Sequence, residues 1–112
     1  MTRLLMRRLL EEEGYAVTET DNGEVALELL QEHPFDVVIT DLLMPAKDGL
    51  QTILDIQRLS QNVKIIAVSS GGPSNSLRLL NVAKSYGAVH TVLKPISREN
   101  LLAALESALN AA

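Results

Sequence analysis

Apolar positions along the chain change period repeatedly, and each change falls at Gly, Pro or an Asn/Asp turn, the punctuation expected of alternating helices and strands. Residues 2–13 read as a helix: Leu5 with Leu9 and Met6 with Leu10 are i,i+4 pairs on one face, and Gly14 stands where a helix ends on positive φ. Residues 15–20, Tyr-Ala-Val-Thr-Glu-Thr, read as a short strand with mixed faces, suited to a sheet edge. After the Asp21-Asn22-Gly23 turn, residues 24–32 are predicted helical with Val25, Ala26, Leu29 and Leu30 inward, ended by His33-Pro34. Residues 35–40 are almost continuously apolar and β-branched, the mark of a central parallel strand covered on both faces, and its end delivers Asp41. Asp48 is placed to cap a helix over 50–59 with Ile53, Leu54 and Ile56 inward. Residues 63–68 repeat the buried-strand pattern and lead to Ser69. A further helix starts at Ser74 or Asn75, runs to Tyr86 and is closed by Gly87. Residues 88–93 form the last strand, ending at Lys94-Pro95. Ser97-Arg98-Glu99-Asn100 then opens a helix over 99–110 with Leu101, Leu102, Leu105 and Leu109 inward.

The order α-β-α-β-α-β-α-β-α with short connections predicts an α/β fold: a parallel sheet, right-handed crossovers and helices on both faces. Ligands of such sheets sit beyond the carboxyl ends of the strands. Asp41, Ser69 and Lys94 each follow a strand directly, so all three are expected at that rim. The 112 residues suffice for one domain, 1–112, and the three aromatics leave an aliphatic core. Ten Lys+Arg against fourteen Asp+Glu give a net charge of −4, which argues against nucleic acid as a direct partner. The absence of cysteine excludes disulfides and thiol nucleophiles. No apolar run approaches the ~20 residues that span a bilayer, and charges interrupt the N-terminus, so no membrane partner is expected and the cytoplasm is the expected location. His33 and His90 lack companions at metal-ligand spacing, and Gly71-Gly72-Pro73 carries no phosphate-loop signature. Arg3, Arg7 and Arg8 read as a solvated helix face balanced by Glu11 to Glu13.

A carboxylate, a hydroxyl and an ammonium at one rim suit phosphoryl transfer, the carboxylate attacking phosphorus while the others hold its oxygens. Asp41-Leu42-Leu43-Met44-Pro45-Ala46-Lys47-Asp48-Gly49 resembles the phosphoacceptor loop of bacterial response-regulator receiver domains. The resemblance continues through Gly14-Tyr15, the Asp21 to Leu27 turn and helix, Ala67 to Gly71, and Gly87-Ala88 with Lys94-Pro95. It implies a flavodoxin-like three-layer fold and a module that takes a phosphoryl group on Asp41 from a histidine kinase or phosphotransfer protein, then switches binding to a downstream protein. It further implies Ser69 as the switch hydroxyl, Lys94 as the phosphoryl-pairing amine, Pro95 as a cis-peptide position, and Mg²⁺ held by Asp41 and the Leu43 carbonyl.

The chain departs from the family in two places. Thr91 stands where an aromatic commonly partners the switch hydroxyl. Met1 falls inside what resembles the family's first helix, so the family's first strand and the acidic pair ending it are absent, leaving four strands and five helices in the order 2-(1 missing)-3-4-5. Four buried aliphatics at about 1.5–3 kcal/mol each amount to about 6–12 kcal/mol, comparable to the roughly 5–15 kcal/mol of a whole domain. Two arrangements would relieve the gap: residues 15–20 move in to pair with 35–40, or a partner chain supplies the missing element, which predicts a homodimer or oligomer. The alternative function is a receiver-like module that takes no phosphate and serves in protein docking or oligomerisation. A small flavodoxin-like enzyme would need a general base, and no His is placed for one.

Overall fold

The computed structural model describes residues 3–20, 23–41, 46–59, 63–69, 75–93 and 96–110. Helix α1, Arg3–Glu12, is followed by α2, Gly23–Glu32, strand β1, Val37–Asp41, and helix α3, Ala46–Leu59. Strand β2, Lys64–Ser69, helix α4, Asn75–Tyr86, strand β3, His90–Leu93, and helix α5, Arg98–Asn110, complete the order. The three strands form one parallel sheet, β1-β2-β3, with Ile39 beside Ile66 and Ile66 beside His90.

Period-two alternation in β2 divides the core. Ile66 and Val68 face Leu9 and Leu10 of α1, Val92, Ile96, and Leu101, Leu105 and Ala108 of α5. Ile65 and Ala67 face Ile53 and Ile56 of α3, Val63, Ala83 of α4 and Ala88. Helices therefore cover both faces of the sheet, and Ile65, Ile66, Ala67 and Val68 are fully buried.

Several predicted details are corrected. Residues 15–20 form no strand: they ladder to none of the described strands, and side-chain packing alone does not make a strand. Among the described residues the sheet thus has three strands where four were expected, and β1, expected to be central, stands at its edge. Asp48 lies inside α3, which starts at Ala46, so it is no cap. In α2 it is Leu27 and Leu30 that pack on the core while Val25 is 39% exposed, and no residue of that helix is fully buried. In α5 Ala108 is buried in place of Leu109, which is 40% exposed, because the inward stripe follows Leu101, Leu105 and Ala108 at i, i+4, i+7. Ser97 does cap α5, its Oγ accepting the Asn100 N–H at 3.0 Å.

Acidic residues at the end of α1 do more than balance its arginines. Arg7 reaches Glu11 at 3.4 Å and Glu19 at 3.6 Å. Glu12 and Glu13 instead receive Arg98, tying the end of α1 to the start of α5, and the hydrogen bond and charge of Glu13, then those of Glu12, raise the pKa of the guanidinium. These pairs are exposed and weaken as salt screens them.

Gly14 and Gly87 end their helices at φ +93° and +128°, as the pattern predicts. A Cβ at Gly87 would lie 2.8 Å from Gln57 Oε1, whereas one at Gly14 would meet nothing within 4 Å. Gly87→Ala is expected to lower stability by about 1–3 kcal/mol and more than Gly14→Ala, read from the midpoints of urea unfolding.

Candidate functional site

Each strand runs outward from the core to the same rim, because all three are parallel. β1 ends at Asp41, β2 at Ser69 and β3 at Leu93. The register pairs Asp41 with Val68, the residue before Ser69, and pairs Ser69 with Leu93. Asp41 and Ser69 are therefore brought together at the carboxyl ends of neighbouring strands by backbone register. Lys94 follows Leu93 in the chain, but Leu43, Lys94 and Pro95 lie outside the described residues.

The buried, β-branched strand interiors set this register. Val37 and Ile39 turn toward the cluster holding Ile66, and Val38 toward the one holding Ile65. A slip of one residue would reverse every side chain, so Asp41 and Ser69 reach the rim as a consequence of packing.

The described residues contain no group of three or more His, Cys, Asp or Glu able to hold a metal ion, and neither His33 nor His90 joins one. A shallow groove of about 300 Å³ lies between α2 and α3, lined by Leu27, Gln31, Asp55, Arg58 and Leu59. Gln31, Asp55, Arg58 and Leu59 come from the C-terminal halves of the two helices, and Leu27 from the middle of α2. Sequence reading missed this groove, which has no motif and arises where two helices meet. No described helix is long and apolar enough to cross a membrane.

The sequence profile of the Response regulator receiver domain matches residues 1–106. Chemotaxis protein CheY of Halobacterium salinarum is 30% identical over 109 residues, spanning 97% of this chain and 88% of that protein. The probable C4-dicarboxylate response regulator DctR of Bacillus subtilis is 36% identical over 85 residues, 76% of this chain, and the chain spans only 36% of that relative's length. Among solved structures, a response regulator protein from Burkholderia pseudomallei with a phosphorylated aspartic acid, calcium ion and citrate is similar at 28% identity with a TM-score of 0.76, covering 94% of this chain and 62% of that one. With a parallel sheet ending in Asp41 and Ser69, the chain belongs to the response regulator receiver domain family, the phosphoacceptor modules of two-component signalling.

Proposed function

We propose that Asp41 is the phosphoacceptor of this chain, with the Ser69 hydroxyl and the Lys94 ammonium stabilising the phosphoryl oxygens. The observation that carries this reading is the register that sets Asp41 and Ser69 at the ends of adjacent parallel strands, with Ser69 level with Leu93, the residue that precedes Lys94 in the sequence. A carboxylate oxygen of Asp41 attacks phosphorus, and the bond from phosphorus to the donor's leaving group breaks. Water then cleaves the acyl phosphate, returning the carboxylate and inorganic phosphate. Lys94 and Ser69 act where negative charge gathers on the oxygens in flight. The donor is a histidine kinase, a phosphotransfer protein or a small acyl phosphate, and the acceptor's charge state changes binding to a downstream protein. The phosphorylated aspartic acid in the Burkholderia relative supports the chemistry.

Mg²⁺ is the metal that the family resemblance implies. It demands near-octahedral oxygen coordination, and here Asp41 and the Leu43 carbonyl would contribute two ligands. Asp41 and the Leu43 carbonyl are the ligands this chain would bring to the ion, waters and a phosphoryl oxygen completing its shell, and no step above passes through the metal. The alternative is a docking module that takes no phosphate.

Incubation with acetyl phosphate, with and without Mg²⁺, separates the two. Intact mass is expected to rise by one phosphoryl group, mapped to the peptide containing Asp41. An unchanged mass under both conditions leaves the docking reading.

A further inference from the structure

Helices α2 and α3 meet closely at one point: a Cβ at Gly23, which opens α2, would lie 2.5 Å from Thr52 Oγ1. Further along both helices lies the groove of about 300 Å³, with Leu27 and Gln31 on one wall and Asp55, Arg58 and Leu59 on the other. Leu59 is 40% exposed. Arg58 is exposed and pairs with no acid among the described residues. Asp55 accepts a hydrogen bond from the neutral Gln51 amide at 2.9 Å and has no cationic partner among the described residues. The α3 wall therefore presents an apolar side chain and one charge of each sign, the two charges about 4.5 Å apart along the helix.

We propose that this groove seats a second copy of the chain, in a weak two-fold dimer whose α3 helices lie antiparallel. The axis falls between Asp55 and Arg58. Arg58 of each copy then stands opposite Asp55 of the other, and each Leu59 enters the other copy's groove against Leu27. One charge of each sign, a turn apart, complements itself under that rotation, whereas a uniformly acidic or basic partner would meet a like charge at one of the two positions. A second copy is favoured over a foreign chain for that reason.

The contact is small, and two chains of net charge −4, with Glu24, Glu28 and Glu32 exposed along α2, repel each other at longer range. Association is therefore expected in the range of roughly 0.1–1 mM. Asp41 takes no part in it, so the dimer stands or falls independently of the acceptor reading.

Asp55→Arg places two bases on the α3 wall and Arg58→Asp two acids. Each variant alone is expected to weaken self-association about tenfold or more. Mixed in equal amounts they are expected to associate with each other at about the strength of the unsubstituted chain, because every base then faces an acid. The doubly substituted chain, Asp55→Arg with Arg58→Asp, is expected to recover self-association as well. Sedimentation equilibrium reads all four, with circular dichroism confirming the fold of each variant. A merely structural role for either residue would not produce recovery in the mixture. An unsubstituted chain that stays monomeric at roughly 2 mM, above the expected range, leaves the groove to another partner and overturns the proposal. Self-association indifferent to both substitutions, or a mixture that associates no more tightly than either variant alone, overturns it as well.

Discussion

Asp41→Asn is expected to abolish the phosphoryl adduct completely under conditions in which the unsubstituted chain acquires one. The amide is nearly isosteric but lacks the anionic oxygen that attacks phosphorus. Because Asp41 occupies the end of β1 through backbone pairing with Val68, the substitution leaves the ladder intact. Lys94→Ala is expected to slow adduct formation by about 10²–10³-fold, the usual effect of removing one group aimed at developing charge. Lys84→Ala, at an exposed position in the last turn of α4, is expected to leave the rate unchanged. A time course of intact mass with acetyl phosphate reads all three. An adduct that survives Asp41→Asn would move the acceptor elsewhere; equal rates for Lys94→Ala and Lys84→Ala would remove Lys94 from the site.

Ile66→Ala is expected to cost about 2–5 kcal/mol, a large part of the roughly 5–15 kcal/mol that holds a domain of this size together. Ile66 is fully buried in the middle strand, flanked by Ile39 and His90 and covered by α5. Its truncation leaves a void that rigid neighbours on the sheet cannot close. Ile39→Ala removes the same atoms from the edge strand, where the side chain is half-buried, and is expected to cost roughly half as much. Urea unfolding followed by circular dichroism measures both. Equal losses would mean that the edge of β1 is as well covered as the centre.

These two experiments probe different levels of the molecule. The site depends on which residues follow each strand, and that order is written locally: apolar β-branched runs ending in Asp41, Ser69 and Leu93-Lys94 identify both the strands and the rim. Helix ends were equally legible where one residue settles the matter, as at Gly14, Gly87 and Ser97. What composition and period could not resolve was which of several apolar positions faces the core. Val25 and Leu109 fall on the borders of amphipathic stripes, where a rotation of a few tens of degrees exchanges them for Leu27 and Ala108.

By itself, the amino-acid sequence determined the α/β class, the parallel strands, the rim and the three groups proposed to act there, because each follows from local period and from residues next to one another in the chain. Packing alone places β1 at the edge of the sheet of described residues, leaves residues 15–20 unladdered while Tyr15 and Val17 pack on the core, and brings Glu12 and Glu13 to Arg98. A strand exists by virtue of its neighbour's hydrogen bonds, and an ion pair between distant helices by virtue of how they pack; neither is a property of the segment that forms it.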